Sequence, residues 1–121
     1  MHNEQDSQGL PLTAFHYYIL VSLAQAGDNG LHGYGILQSM KQITTSIRTY
    51  ALPSLYEALR SLCRRGLVEL DREEPESGRL RKYFRITGEG HRAMLSHHRE
   101  LETIRDRVRR CLPELRPAKS T

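Results

Sequence analysis

Tryptophan is absent from this 121-residue chain, cysteine occurs twice, and no hydrophobic run is long. Two cysteines, Cys63 and Cys111, cannot form a disulfide scaffold or a cysteine-rich zinc site. Every apolar stretch falls short of the roughly 18 residues that a membrane helix needs, and the polar, acidic N-terminus does not resemble a secretory signal. We therefore expect a cytoplasmic protein without a membrane segment, a bound metal or another cofactor.

Length and charge set further bounds. A chain of 121 residues amounts to one domain with room for one extra element. Lys and Arg total 18 against 14 Asp and Glu, which leaves a net charge of +4. So mild a basic excess permits a nucleic-acid partner without establishing one. A chain this short buries only about two-thirds of its unfolded surface, so a second subunit would add usefully to its core.

Apolar spacing and turn residues predict the order helix, helix, helix, strand, strand, helix. The predicted helices cover 13–26, 32–42, 53–65 and 88–112, and the predicted strands cover 67–70 and 82–87. Thr13 and Thr87 are typical N-cap residues, and Gly66 is a typical C-cap glycine. A polar stretch over 72–81 predicts a loop of roughly ten residues between the two strands.

This order is typical of a winged helix-turn-helix, a mainly α (α+β) fold in which the β-hairpin is the wing. We expect a disordered arm over 1–11, a DNA-binding domain over 12–87, a dimerisation helix over 88–112 and a flexible tail over 113–121. The third helix has an apolar face, formed by Leu55, Leu59 and Leu62, and a basic face opposite. Such a helix fits the major groove of DNA, although any small helical domain can carry a basic face.

Three short motifs lie on these elements. They are Leu31–Ile36 (LHGYGI) in the second helix, Ser54–Leu59 (SLYEAL) in the third, and Lys82–Thr87 (KYFRIT) followed by Gly90 at the exit of the wing. In this order and at these spacings they resemble the PadR family of bacterial transcriptional regulators. The resemblance covers about residues 12 to 110 and implies a dimeric DNA-binding regulator, often a repressor that a small molecule releases.

One position departs from the family's pattern. Pro53, preceded by Leu52, stands in the region where the family usually has a glycine before the recognition helix. Proline can begin a helix, but it cannot adopt the positive φ that glycine allows. The resemblance therefore does not fix the angle at which this helix meets DNA.

The basic face of the third helix and the second half of the wing supply the candidate DNA contacts. Arginine can donate two hydrogen bonds to guanine, and hydroxyl groups near a helix N-terminus can bind phosphate. The predicted DNA-binding residues are Tyr34, Arg48, Ser54, Tyr56, Arg60, Ser61, Arg64, Arg79, Arg81 and Lys82. The alternatives are a helix cap for Ser54, core packing for Tyr56, packing on the third helix for Tyr34, and a solvated network with Glu57 for Arg60. The first half of the wing is acidic, so only its second half is expected to bind phosphates.

The last helix carries apolar residues at heptad spacing over about 37 Å. One row is Met94, Leu101, Val108 and Leu115, and the row between is His97, Ile104 and Cys111. We expect this seam to form a homodimer, with Phe15, Ile19 and Leu23 of the first helix close to it. The alternative is that the seam packs back onto the first helix of its own chain.

The remaining candidates concern ligands and chemistry. Phe15 and Tyr18 are candidates for binding a small aromatic or drug-like effector, in line with the resemblance. Cys63 is either a buried structural thiol or a redox switch, and His91 and His98, seven residues apart, lack further ligands for a metal. No nucleophile–base set or phosphate-binding loop is present, so we do not expect an enzyme. The remaining alternative function is a winged-helix adaptor that dimerises and binds protein rather than a palindromic operator on double-stranded DNA.

Overall fold

The computed structural model of the chain describes residues 11–45, 51–112 and 114. Arg48, Leu115, residues 1–10 of the predicted arm and nearly all of the predicted tail lie outside the described residues. No helix among the described residues combines the length and the apolar character needed to cross a membrane.

Within the described residues, four α-helices and three strands form the predicted winged helix-turn-helix. The helices are α1 (Ala14–Ala26), α2 (Gly33–Ile43), α3 (Leu52–Arg64) and α4 (Gly88–Cys111), and the strands are β1 (Leu31–His32), β2 (Val68–Glu76) and β3 (Arg79–Ile86). The strands form one antiparallel sheet in the order β1-β3-β2. Strand β1 was not predicted, because two residues are too few to show an alternating pattern.

The helix ends follow from side-chain caps. The hydroxyl oxygen of Thr13 accepts from the backbone N–H of His16, and that of Thr87 accepts from Gly90 at 3.0 Å. At α2 the cap is His32, whose Nδ1 accepts from the Gly35 N–H at 3.2 Å. Gly66, with φ +75°, ends α3 in a Schellman motif in which the Leu67 N–H donates to the Leu62 carbonyl.

The core lies between α1, α2 and α3 and is closed by the base of the wing. Its fully buried side chains are Ile19, Leu20, Leu23, Ile36, Met40, Leu55, Leu59 and Leu62. This placement corrects two predicted interface residues. Ile19 and Leu23 are 0 % exposed within one chain, so they belong to its own core and have no surface left for a second chain.

The wing is longer and more regular than predicted. Strands β2 and β3 continue to a two-residue turn at Ser77 and Gly78, both of which have positive φ, as in a type I′ hairpin. The expected ten-residue loop is therefore wrong. The two strands of the wing carry opposite charges, and ion pairs join Arg81 to Glu76 and Arg85 to Glu69 and Asp71 across the ladder. Opposite charges stabilise such pairs, which is why a polar stretch forms a strand here.

Candidate nucleic-acid interface

The outward face of α3 presents two arginines to solvent. Arg60 and Arg64 are both exposed, and within the described part of the chain no ion pair engages either of them. The alternative network with Glu57 is not among the hydrogen bonds that join described residues. Their guanidinium groups are thus available to an external acceptor.

Ser54 lies in the first turn of α3 without capping it. The N-cap of α3 is Ala51, which has no side-chain acceptor, and Pro53 occupies the first turn. Ser54 is exposed, and its hydroxyl faces a shallow groove between α1 and α3 that Ser61 and Arg64 also line. The cap alternative for Ser54 is therefore wrong.

The two tyrosines differ in their surroundings. Tyr56 is half-buried and packs over the start of α2, where a Cβ on Gly33 would lie 2.6 Å from the Tyr56 hydroxyl oxygen. Glycine at position 33 is thus required for this close approach. Tyr34 is 52 % exposed, so it is not part of the core, and it lines a groove together with Leu52 and Tyr56 of α3.

A groove of about 540 Å³ between the start of α3 and the wing gathers six of the predicted DNA-binding residues. They are Tyr34, Tyr56, Arg60, Arg79, Arg81 and Lys82. His32, Leu52 and Leu80 complete its lining. His32 was missed from the sequence, although its place directly before a predicted helix is typical of a capping residue. Ser54 and Ser61 lie on the other flank of α3, and Arg64 lines both that flank and a cleft towards the sheet.

Ion pairs within the wing neutralise most of the carboxylates in its acidic half. Arg72 pairs with Asp71 at 2.7 Å and Glu74 at 2.6 Å, and its guanidinium lies 4.2 Å from the centre of the Tyr83 ring. Arg85 pairs with Glu69 and with Asp71, each at 3.2 Å. Glu76 pairs with Arg81, so Glu73 is the one carboxylate of β2 without an ion pair between described residues.

Arg81 differs from the other predicted phosphate-binding residues of the wing. It pairs with Glu76, and its Nη1 lies 3.3 Å from the Nδ1 of His32. Burial, and then the charge of Arg81, lower the pKa of His32, which favours the neutral ring that caps α2. Arg79 and Lys82 are exposed and take part in no ion pair between described residues. The free positive charge of the wing thus lies on these two residues.

Cys63 lies on the inner side of α3, towards the wing. It is half-buried, and burial followed by the charge of Glu69 raises the pKa of its thiol. A redox switch requires a thiolate, which such an environment disfavours. The structure therefore favours the structural alternative for Cys63. No group of three or more metal-binding side chains occurs among the described residues.

Helix α4 contacts its own chain along its first half. The Tyr17 hydroxyl lies 3.1 Å from the Nδ1 of His98, and the Tyr17 ring centre lies 4.7 Å from that of His97. His97, a predicted dimer residue, thus packs on α1 of the same chain. Further along α4, Leu101 and Ile104 are 41 % and 51 % exposed. The seam therefore packs back onto α1 near its start and is uncovered further on.

Comparison with known proteins gives a consistent picture. The sequence model of the transcriptional regulator PadR-like family matches residues 19–96, whereas no curated protein matches. A PadR family transcription regulator from Clostridium difficile R20291 is 20 % identical, with a TM-score of 0.67 over 83 % of this chain and 99 % of that one. A second, from Eggerthella lenta DSM 2243, is 24 % identical, with a TM-score of 0.63 over 78 % and 80 %. The MepR–DNA complex of S. aureus is 16 % identical, with a TM-score of 0.55 over 92 % and 73 %. At these identities the likeness shows the fold.

Proposed function

Because the chain belongs to the transcriptional regulator PadR-like family, we propose that it binds a palindromic operator as a homodimer and represses transcription until a small molecule releases it. Family membership also agrees with the expectation that the protein is a regulator and not an enzyme. The proposed DNA-binding unit is residues 12–87, and the proposed dimerisation helix is 88–112.

The observation that carries this proposal is the set of uncompensated cations around α3 and the wing. Arg60 and Arg64 are exposed on one helix face, and Arg79 and Lys82 are exposed on the wing beside it. In the major groove, each arginine can donate two hydrogen bonds to a guanine. The wing cations then contact phosphates, which position the helix without reading sequence.

Dimerisation through α4 follows from its uncovered seam. Leu101 and Ile104 are exposed in the single chain, and Val108 and Cys111 lie at the same heptad positions, whereas Met94 at the start of the seam packs against the core of its own chain. A second copy that packs along this seam would remove their apolar surface from water. A two-fold axis would place two α3 helices about 34 Å apart, which is one turn of DNA.

For the effector we propose binding at two aromatic residues of α1, Phe15 and Tyr18. Phe15 and Tyr18 are half-buried and pack at the edge of the core. They lie on the same helix as Tyr17, which contacts α4. A planar aromatic or drug-like ligand beside them would change how α1 meets α4, and with it the spacing of the two recognition helices.

The adaptor alternative is less well supported. Its support was the acidic first half of the wing, but Asp71, Glu74 and Glu76 pair with Arg72, Arg81 or Arg85, which leaves Glu73 as the carboxylate there without an ion pair between described residues. The wing therefore presents little uncompensated negative charge to a basic protein partner. The groove beside α3, in contrast, presents cations to DNA.

The direct test is selection of bound fragments from the source genome, followed by footprinting. We expect a palindromic protected site whose affinity at about 150 mM salt exceeds that of a scrambled sequence by roughly a thousandfold or more. Equal affinity for the two sequences would rule out specific recognition. The genes beside the selected site would indicate the signal to which the regulator responds.

A further inference from the structure

A second cleft lies between the C-terminal half of α3 and the sheet, next to the groove described above. Its volume is about 390 Å³, within the range of small-molecule sites. The buried side chains of Leu59 and Phe84 form its base, and Tyr56, Cys63 and the exposed Leu70 complete its apolar wall. A ligand in this cleft would therefore rest on an apolar surface.

Three cations line the same cleft. They are Arg60, Arg64 and Lys82, all exposed and all without an ion-pair partner among the described residues. Glu69, whose charge raises the pKa of the Cys63 thiol, already pairs with Arg85 at 3.2 Å. An apolar base beside three free positive charges is complementary to a molecule that is apolar at one end and anionic at the other.

We propose that this cleft binds a small amphipathic anion, with an aromatic body on Leu59, Leu70 and Phe84 and a carboxylate or sulfonate group at Arg60, Arg64 and Lys82. The apolar body gains by leaving water. The anion gains charge-assisted hydrogen bonds. The site is distinct from the proposed effector residues on α1, and lies wholly within one chain.

Such a ligand would also weaken DNA binding, a consequence that rests on the proposed function. Arg60, Arg64 and Lys82 are proposed DNA contacts, so an anion that holds them competes directly with the phosphates and bases. The protein would then be released from DNA at the reading helix itself. No change in the arrangement of two subunits is needed for this competition.

The first test uses 8-anilinonaphthalene-1-sulfonate, whose fluorescence rises in apolar sites. Its uncharged counterpart, N-phenyl-1-naphthylamine, is the matched probe without the anionic group. We expect Arg64→Gln and Lys82→Gln each to weaken binding of the sulfonate by roughly two- to fivefold and to leave the uncharged probe unaffected. Arg99→Gln, which removes a charge from the exposed face of α4, is the control. Sulfonate affinity that is equal in all three variants would overturn the proposal.

The second test locates the ligand by the two cysteines. At about pH 8.5 a maleimide should alkylate both thiols, and peptide mass spectrometry can follow each one separately. Bound sulfonate should slow alkylation of Cys63, which lines the cleft, and leave that of the exposed Cys111 unchanged. Unchanged alkylation of Cys63 at saturating sulfonate would place the probe elsewhere and refute the site.

The third test adds the selected operator fragment. We expect the sulfonate to displace it in a mobility-shift assay at concentrations that fill the cleft, while the uncharged probe does not. The first two tests need no DNA, so they can succeed even if the protein binds no operator. Conversely, an operator complex that forms but resists saturating sulfonate would contradict the competition and leave the proposed function intact.

Discussion

Thr87 and Gly90 join the wing to α4 through a few short contacts. The Thr87 hydroxyl donates to the Gly66 carbonyl at 2.7 Å and accepts from the Gly90 N–H at 3.0 Å. A Cβ on Gly90 would lie 2.1 Å from the carbonyl oxygen of Leu67 and 2.7 Å from Cγ1 of Ile86. Thr87 and Gly90 in the motif at the exit of the wing are therefore explained by packing at a structural joint rather than by contact with DNA.

This joint gives a prediction for single glycines. We expect Gly90→Ala to lower the free energy of unfolding by about 1–3 kcal/mol, because its new methyl group would overlap backbone. Gly88→Ala is the matched control, because its Cβ would meet only the Arg92 guanidinium, at 3.8 Å. Urea unfolding of the two variants measures the difference, and equal stabilities would show that the close approach at Gly90 is absent.

At the scale of elements, the wing combines a rigid, charge-paired hairpin with two unpaired cations. Ion pairs across the strands hold Arg81 and Arg85 against carboxylates of β2, and Arg72 pairs with its neighbours Asp71 and Glu74 along β2 itself. Arg79 and Lys82 remain exposed on β3. The hairpin therefore presents these two charges on a fixed frame beside α3.

The two kinds of wing cation should differ in the salt dependence of DNA binding. Each lost phosphate contact lowers the slope of log affinity against log salt concentration by about 0.9. We expect that change for Arg79→Gln and for Lys82→Gln, and a smaller one for Arg81→Gln, because Glu76 already compensates its charge. Titrations at several salt concentrations check this. If Arg81→Gln lowers the slope as much as Arg79→Gln and Lys82→Gln do, the ion pair between Arg81 and Glu76 opens when the protein binds DNA.

The helices could be predicted from the sequence, whereas the wing and the seam could be predicted only in part. Apolar spacing and the caps at Thr13 and Thr87 placed the helix ends within one residue. The charged residues of β2 looked like a loop because their stabilising partners lie on another strand. Ile19 and Leu23 looked like interface residues because spacing along a helix does not tell which neighbour covers it. Which of the cations stay unpaired depends on strand register, which the sequence does not reveal.

At the scale of the whole molecule, α4 ends in a stretch that its own chain leaves uncovered. We expect the wild-type protein to sediment with twice the mass of one chain, and the double variant Leu101→Asp, Ile104→Asp with the mass of one. Buried aspartates on facing helices would be charged and unpaired, which is strongly unfavourable. The outcome is read by analytical ultracentrifugation.

The control for this change is Leu80→Asp at the wing. Leu80 is 66 % exposed and lies at the tip of the wing, opposite Pro75 and next to the hairpin turn, so the same substitution there should leave the mass unchanged. Circular dichroism would verify that α4 remains helical in the double variant. A dimer that survives both aspartates would move the subunit interface away from the seam.

The central claim is that α3 reads DNA through Arg60 and Arg64, and the most direct measurement is operator affinity after their charges are reversed. Two base contacts of about 1–3 kcal/mol each predict that Arg60→Glu, Arg64→Glu weakens operator binding by at least about thirtyfold and removes the preference over scrambled DNA. The matched control is Arg92→Glu, Arg99→Glu, which changes the net charge equally on the exposed face of α4 and should retain the preference. If the first double variant still prefers the operator as the wild type does, α3 is not the element that reads DNA.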